Sequence, residues 1–518
     1  MNREIPGFYY DSVKRKYFRI EDNRTAPAEA AWSAQNVKRR AVQQKDKTRR
    51  QDREKRAAGR VKRARVRGVP LLGGLLAREI GEVGAGAVPA AGEEVVRAWA
   101  GGLKEKGSVK PWPWVDNGTI TGLWVGGSGE HTGPGVLFAS GVQDRMAASL
   151  VPRDADDSIN LRGHEHAMFQ RSFYTEDVVA IKFHDPSSSL LVACEQGGSI
   201  GIKRYAPQPP HTDIPSPAFL VDSAAHFTLF DSTLGASTAS TIHALQPAAH
   251  GSSLTCIAGT DQGIIKLQDN KLDWFTPRPR PSQRHKQGRP DPTQPPWQGD
   301  ILSVDFAHHN PTEVILAGTR SSHVCLLDMR VPVREWTTRS NAFRHVSSIA
   351  HVRSVGPHEV LAAGPRNAMA IYDIRFLQQA PPPPPPPPPP LPPSPWQTHK
   401  TKQDHHHHHR QTWHGNATRP IVEFPSYRNA AHIHTGLDVL AEPGYGSRGI
   451  VAAAHDDATV GLYSLRDGAR IPGGAVDSIG AAAGTVVRSI MWATLPGDRH
   501  PGLFVGEGPC VKKYSFWA

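Results

Sequence analysis

Four cysteines in 518 residues, Cys194, Cys256, Cys325 and Cys510, lie too far apart for a zinc site or a disulfide framework. Each falls inside an apolar run, so buried reduced thiols are the expected state. Long hydrophobic stretches are also missing. Nowhere do about 18 uninterrupted apolar residues occur, which excludes a membrane-spanning helix. The opening MNREIPGFYYDSVKRKYF lacks an apolar core of signal-peptide length. The expectation is a soluble intracellular chain with no membrane partner. The motifs of familiar catalytic machinery are absent too: there is no glycine-rich phosphate loop ending in Lys-Ser or Lys-Thr, no HExxH and no Gly-x-Ser-x-Gly elbow. Gly84-Ala85-Gly86 runs on to Pro89 instead of a dinucleotide-binding turn. No enzyme activity, catalytic residue, cofactor or metal site is expected.

Proline and glycine, by contrast, are plentiful, with 46 and 48 copies. Much of the excess is confined to a few segments that read as linkers. The net charge of +12 is equally uneven, because residues 36–67 hold 15 Lys and Arg against three acidic residues. That segment alone carries the whole excess, so a basic arm is attached to an electrostatically neutral body.

The body is repetitive. An apolar strand ending in small residues, a polar turn and an alternating strand recur seven times: from Val136, Leu190, Leu254, Val314, Val360, Ile450 and Leu503. A further apolar strand precedes most copies, in ITGLWV from Ile120, VVAIKFH from Val178, ILSVDFAH from Ile301, VSSIAHV from Val346, HTGLDVLA from His434 and VVRSIMWA from Val486. Small residues at the end of one strand allow neighbouring sheets to approach closely, and period-two alternation marks a sheet packed on its faces. Four-stranded units arranged radially bury both faces of each sheet, with the outermost strand the least legible.

The signature of the WD repeat is present in degenerate form. Leu327-Asp328, Tyr372-Asp373 and Tyr463-Ser464 stand where Trp-Asp ends the third strand. Asp261 and Asp457 occupy the turn position where a carboxylate satisfies backbone donors, and Gly163-His164 and Arg344-His345 resemble the Gly-His that opens a repeat. The fold expected is all-β, a seven-bladed WD-repeat β-propeller with a basic α-helical N-terminal extension and disordered Pro-rich insertions. The boundaries read as 1–27 for an N-terminal segment, 28–67 for the basic helical arm, 68–115 for a small helical or linker region, and 116–518 for the propeller. The insertions fall at about 270–299 and 378–420.

The second insertion contains a proline run that prefers an extended polyproline helix and cannot join a sheet. It reads either as a tolerated low-complexity loop or as a ligand for SH3-type and WW-type domains. His405 to His409 follow it, but five tandem histidines in a loop fix no metal geometry. Residues 28–67 contain no proline, one glycine and mostly long straight-chain side chains, hence the helix. Their basic clusters suit nuclear import, nucleic-acid contact, or neither beyond solvation.

The N-terminal run Pro6-Gly7-Phe8-Tyr9-Tyr10-Asp11, followed by Tyr17-Phe18-Arg19, resembles the opening of the WD-repeat cullin-4-associated factors. In that family, too, a basic stretch and a propeller come next. The resemblance implies a substrate receptor of a cullin-4 RING ubiquitin ligase, present in nucleus and cytoplasm. Such a receptor docks on the adaptor of the damaged-DNA-binding protein 1 type and recruits a substrate protein that is unknown. The feature associated with docking is an Asp-x-Arg repeat end, found twice in succession: Asp328-Met329-Arg330 and Asp373-Ile374-Arg375, the second preceded by Tyr372. Ser321 and Leu327 in the fourth repeat, and Arg366 and Tyr372 in the fifth, depart from the usual Asp and Trp. Arginine suits such a contact because its planar fork makes two charge-assisted hydrogen bonds. The alternative role for Arg330 and Arg375 is to pair with nearby acids. The rival function, suggested by the arm, is a WD scaffold of a nuclear RNA-processing or chromatin complex.

Overall fold

The computed structural model describes residues 8–11, 14–20, 32–33, 36–38, 87–111, 118–126, 135–141, 145–151, 158–159, 172–174, 177–196, 199–205, 224–229, 240–277, 295–332, 336, 342–376, 418–441, 448–480, 486–496 and 498–516. Two compact units are present, Met1–Ile80 and Gly81–Ala518.

In the first unit the aromatic signature is a β-hairpin. Phe8–Asp11 pairs antiparallel with Lys16–Arg19, placing Tyr9 opposite Phe18 and Tyr10 opposite Tyr17. The Tyr10 and Tyr17 rings lie 4.8 Å apart, and Phe18 stacks on Trp32 at 4.9 Å. Cross-strand aromatic pairs of this kind are what hold so short a ribbon together. Pro6 and Gly7 lie outside the described residues. So does most of the basic arm, of which residues 36–38 are helical.

The second unit is a seven-bladed β-propeller. Blade 1 comprises Ile120–Gly126, Gly135–Gly141, Arg145–Val151 and Ser172–Tyr174, and blade 2 comprises Asp177–His184, Ser189–Gln196, Ser199–Tyr205 and Ala224–Thr228. Blade 3 is Ile242–Pro247, Cys256–Thr260, Gly263–Gln268 and Lys271–Trp274; blade 4 is Ile301–Phe306, Val314–Thr319, His323–Asp328 and Ala342–Arg344. Blade 5 follows with His351–Ser354, Glu359–Gly364, Ala368–Asp373 and Val422–Glu423, and blade 6 with Leu437–Ala441, Gly449–Ala454, Val460–Ser464 and Arg470–Ile471. In blade 7, Ile490–Ala493, Gly502–Glu507 and Cys510–Phe516 are completed by Leu103–Val109 from the other end of the chain.

The seven hydrophobic cores each fill one gap between neighbouring blades. Phe138, Met146, Leu190 and Val192 lie between blades 1 and 2, and Leu137, Ala139, Phe504 and Val511 between blades 1 and 7. No described gap is left uncored, which makes the sheets a closed ring. Burying an aliphatic side chain in this way contributes roughly 1.5–3 kcal/mol. The small residues ending the second strands set the spacing. A Cβ on Gly259 would lie 2.7 Å from Ile301 O of the next blade, and one on Gly364 would overlap the Ser348 carbonyl. Cys194 and Cys256 on second strands and Cys325 on a third are buried and unbridged, whereas Cys510, at a turn of blade 7, is only half-buried.

Helix α1 (Ala87–Gly101) leads into the closing strand. Its Val96 and Ala100 join the core between blades 6 and 7, and Trp99 meets Trp492 at 5.7 Å. The closing strand pairs Leu103 with Phe516 and Val109 with Val511, and a bulge between Glu105 and Ser108 is accommodated by Gly107 at φ 101°. Glycine adopts that backbone without penalty.

Several expected boundaries move. The propeller does not begin at 116, because Leu103–Val109 is part of blade 7. Nor is 270–299 all insertion: Lys271–Trp274 is the outer strand of blade 3, and Trp297 is buried between blades 3 and 4. The proline run falls, in sequence, between the third strand of blade 5 and its outer strand Val422–Glu423, and itself lies outside the described residues. The inner strand of blade 5 starts at His351 instead of Val346, which is 70% exposed. The inner strand of blade 3, Ile242–Pro247, was not among the strands read from sequence.

Because Leu103 is 1% exposed at the ring's only two-ended sheet, Leu103→Ala is expected to cost about 2–5 kcal/mol by urea unfolding. Gly364→Ala, by crowding Ser348, should cost about 1–3 kcal/mol in the same assay.

Candidate functional site

Within each blade the strands run antiparallel, so the turns after the first and third strands share one edge of the ring. Both Asp-x-Arg segments lie there. In blade 4 the third strand ends at Asp328 and the chain turns back on its own carboxylate. The Arg330 backbone N–H donates to Asp328 Oδ1 at 2.9 Å, and its Nε and Nη2 donate to Oδ1 and Oδ2 at 2.9 and 2.7 Å. Blade 5 repeats the corner. Arg375 N–H, Nε and Nη2 reach Asp373 at 2.9, 3.0 and 2.7 Å. The hydrogen-bonded guanidinium holds each aspartate below the usual carboxylate range.

Each arginine is paired with its own acid, yet the Arg330 and Arg375 side chains remain 59% and 56% exposed. An ion pair so exposed adds little stability. Its effect is to fix the direction of a fork that otherwise samples many rotamers, which lowers the entropic cost of a contact.

Asp373 is itself nearly buried, and Tyr372 is buried outright at 2% exposure. Tyr372 is thus corrected from a rim contact to a core residue. Its hydroxyl shares a 2.9 Å hydrogen bond with Nδ1 of His345, the histidine of the Gly-His position, and its ring lies 4.8 Å from Phe343 of blade 4. Tyr463, at the matching position of blade 6, is also fully buried. Blade 6 has the related chain in full: Asp457 accepts the Thr459 N–H at 3.1 Å, Thr459 Oγ1 meets His455 Nδ1 at 2.8 Å, and His455 Nε2 meets Tyr463 Oη at 2.7 Å. Asp261, at the matching turn of blade 3, accepts the Thr241 N–H at 3.1 Å. Gly163 and His164 lie outside the described residues.

Two histidines that the sequence reading passed over stand between the corners. His309 and His358, on the turns entering the second strands of blades 4 and 5, have ring centroids 5.9 Å apart. Each lies close enough to act electrostatically on its corner, His309 on Asp328 and His358 on Asp373. Glu313 adds an ion pair to Arg330 at 3.3 Å, and Glu359 pairs with Arg448 at 3.0 Å. The legible signal was positional, since both histidines occupy the same turn of successive repeats.

The next corner along this edge is closed by the chain itself. In blade 6 the segment is Ser464-Leu465-Arg466, with serine replacing the aspartate, and α1 supplies the missing carboxylate. Glu93, 4% exposed, accepts from Ser464 Oγ and from the Arg448 N–H, both at 3.0 Å, while Arg97 pairs with Asp467 at 2.6 Å. Helix α1 thus covers blade 6 and leaves the blade 4 and blade 5 corners side by side. Among the described residues, no group of three or more His, Cys, Asp or Glu is placed to hold a metal, and no helix is long and apolar enough to cross a membrane.

Seven four-stranded sheets with these strand ends define a WD-repeat β-propeller protein. No protein-family model matches the chain, and no curated protein sequence does. Among solved structures it is similar to the crystal structure of the WD40 β-propeller domain of Doa1, at 9% identity over 80% of this chain and 99% of that one, with a TM-score of 0.46. That likeness concerns the fold alone.

Burial lowers the His345 pKa to about 4 from its ordinary 6.5. The unfolded chain takes up this proton first, so the contribution is complete above pH 6.5 and is lost as pH falls towards 4, on the order of 3 kcal/mol in all. Urea unfolding at pH 7.5, 6 and 5 should show a shallower pH dependence for His345→Gln than for the parent.

Proposed function

We propose that this chain is a protein-binding scaffold that serves as the substrate receptor of a cullin-4 RING ubiquitin ligase. In this reading the blade 4 and blade 5 corners dock on the adaptor of the damaged-DNA-binding protein 1 type. The observation that carries it is the paired, identically built, outward-facing Asp-x-Arg corners, Asp328-Arg330 and Asp373-Arg375, on adjacent blades. The aromatic hairpin Phe8–Arg19, with its family signature, supports the same assignment to the cullin-4-associated factors, and within them to the member numbered four. Catalysis would then belong to the ligase partners, and the chain would act in nucleus and cytoplasm. Recognition through arginine forks with adjacent histidines suits an acceptor-rich partner surface.

A second reading rests on one observation, the excess of +12 within residues 36–67. It makes the chain a scaffold of a nuclear RNA-processing or chromatin complex, with the arm on nucleic acid. Salt-sensitive RNA binding that vanishes when residues 36–67 are removed would favour it.

Affinity purification of the full chain separates the two readings. The adaptor and cullin-4 should co-purify with the parent, and Arg330→Ala with Arg375→Ala should reduce adaptor binding by about tenfold or more without changing the circular dichroism spectrum. Adaptor recovery equal to the parent's would overturn the docking assignment. His309→Ala with His358→Ala should weaken binding less.

A further inference from the structure

The hairpin of the first unit has two unlike faces. Successive side chains of a strand point to opposite sides, and residues paired across two strands share a side. The register therefore puts Phe8, Tyr10, Tyr17 and Arg19 on one face, and Tyr9 and Phe18 on the other. The second face is covered from within the unit: Trp32 stacks on the Phe18 ring at 4.9 Å, and Lys14 Nζ lies 5.8 Å from the same ring's centroid. The first face meets solvent. Phe8 is 45% exposed and Tyr17 39%, and Arg19, opposite Phe8, is exposed as well, while the half-buried Tyr10 ring supports that of Tyr17 at 4.8 Å.

Two strands alone bury too little to be stable, so a face with this much ring surface gains from being covered. Charge narrows the choice of cover. Lys14, Arg15, Lys16 and Arg19 are all exposed, against Asp11 as the acid of residues 8–20. Glu21 and Asp22 follow in sequence, but residues 36–67 then add their excess of +12. An apolar peptide gains nothing from such charge, whereas a polyanion that carries flat rings of its own matches both features. Phe8 and Tyr17 are diagonal neighbours on their face, a relation that sets side chains about 7–8 Å apart. Bases stacked on one another, at about 3.4 Å, are too close to use both rings. Bases splayed apart can each take one. A duplex keeps its base faces turned inward and offers the hairpin nothing to stack on.

We propose that this face of the hairpin binds single-stranded nucleic acid, with bases stacked on Phe8 and Tyr17 and phosphates held by Arg19 and by Arg15 of the turn. Arginine suits the second task because its planar fork matches a phosphate with two hydrogen bonds. The inference deepens the second reading above and rests on it for biological use. Residues 36–67 contain no aromatic side chain, so they supply charge without a stacking surface. The hairpin supplies the ring contacts that tell a single strand from a duplex.

The test uses the full chain and fluorescent oligomers of about 12 nucleotides: oligouridine, oligothymidine and a self-complementary RNA duplex. Vesicles of phosphatidylserine and phosphatidylcholine serve as an anionic surface without bases. The parent should bind single strands about tenfold or more tighter than the duplex at matched salt, and the preferred single strand identifies RNA or DNA as the source. Phe8→Ala should weaken single-strand binding about tenfold and Phe8→Tyr should restore it, neither changing the slope of log affinity against log salt. Arg19→Gln should lower that slope by about one. Photo-crosslinks from an oligomer carrying 4-thiouridine, mapped by mass spectrometry on the parent, should fall on Phe8 or Tyr17; this measurement decides even if Phe8→Ala loosens the hairpin. Equal affinity for the duplex, crosslinks confined to residues 36–67, or ring-dependent binding of the vesicles in place of the oligomers would overturn the proposal. So would adaptor co-purification lost in Phe8→Ala, which would assign the face to the adaptor. Single-strand binding that vanishes on deleting residues 36–67 but ignores Phe8→Ala removes this inference and leaves the second reading; binding absent from the parent removes both.

Discussion

The pairing of Leu103–Val109 with Cys510–Phe516 is the constraint on which the rest of the body depends. A sheet with both faces apolar has no stable position except between two others, and a row of such sheets always leaves two faces bare unless it closes. Taking the last blade's outer strand from the N-terminal side makes closure a backbone hydrogen-bonded event as well as a packing one. It also links the order of folding to distant parts of the chain, since roughly four hundred residues separate the two strands and the loop between them must be organised before either gains from pairing.

Helix α1 is coupled to that closure by position. It immediately precedes the closing strand, so the same segment that completes blade 7 also lays Glu93 and Arg97 over the blade 6 corner. At this corner Ser464 Oγ accepts the Arg466 N–H and itself donates to Glu93 of the helix. A buried Glu93 with two donors is a satisfied group, and removing either partner strands the other. The rim is therefore graded: two corners open with their own acids, the third occupied by the chain.

Strand polarity sorts residues between the two edges of the ring. Residues after the third strands gather on one edge, where Arg330 and Arg375 are each matched by an aspartate two positions earlier. Histidines contribute to this edge and to the blade interiors, where burial keeps them neutral, as at His345 and His455. Neutral imidazole suits an interior relay because one nitrogen donates while the other accepts.

The sequence by itself determined the repeat, the alternation and the small residues ending the second strands, because these are local patterns set by side-chain size and period. It also placed Arg330 and Arg375, whose partners Asp328 and Asp373 lie two residues away. Outer strands of two or three residues, such as Val422–Glu423 and Arg470–Ile471, carry too little pattern to be read. Only the tertiary structure decided that Leu103–Val109 belongs to blade 7, that Tyr372 turns inward to His345, that Glu93 completes the Ser464 corner, and that His309 meets His358. Each of these is a contact across tens to hundreds of residues. Periodicity says which face of a strand is buried, and only the closed ring says what that face is buried against.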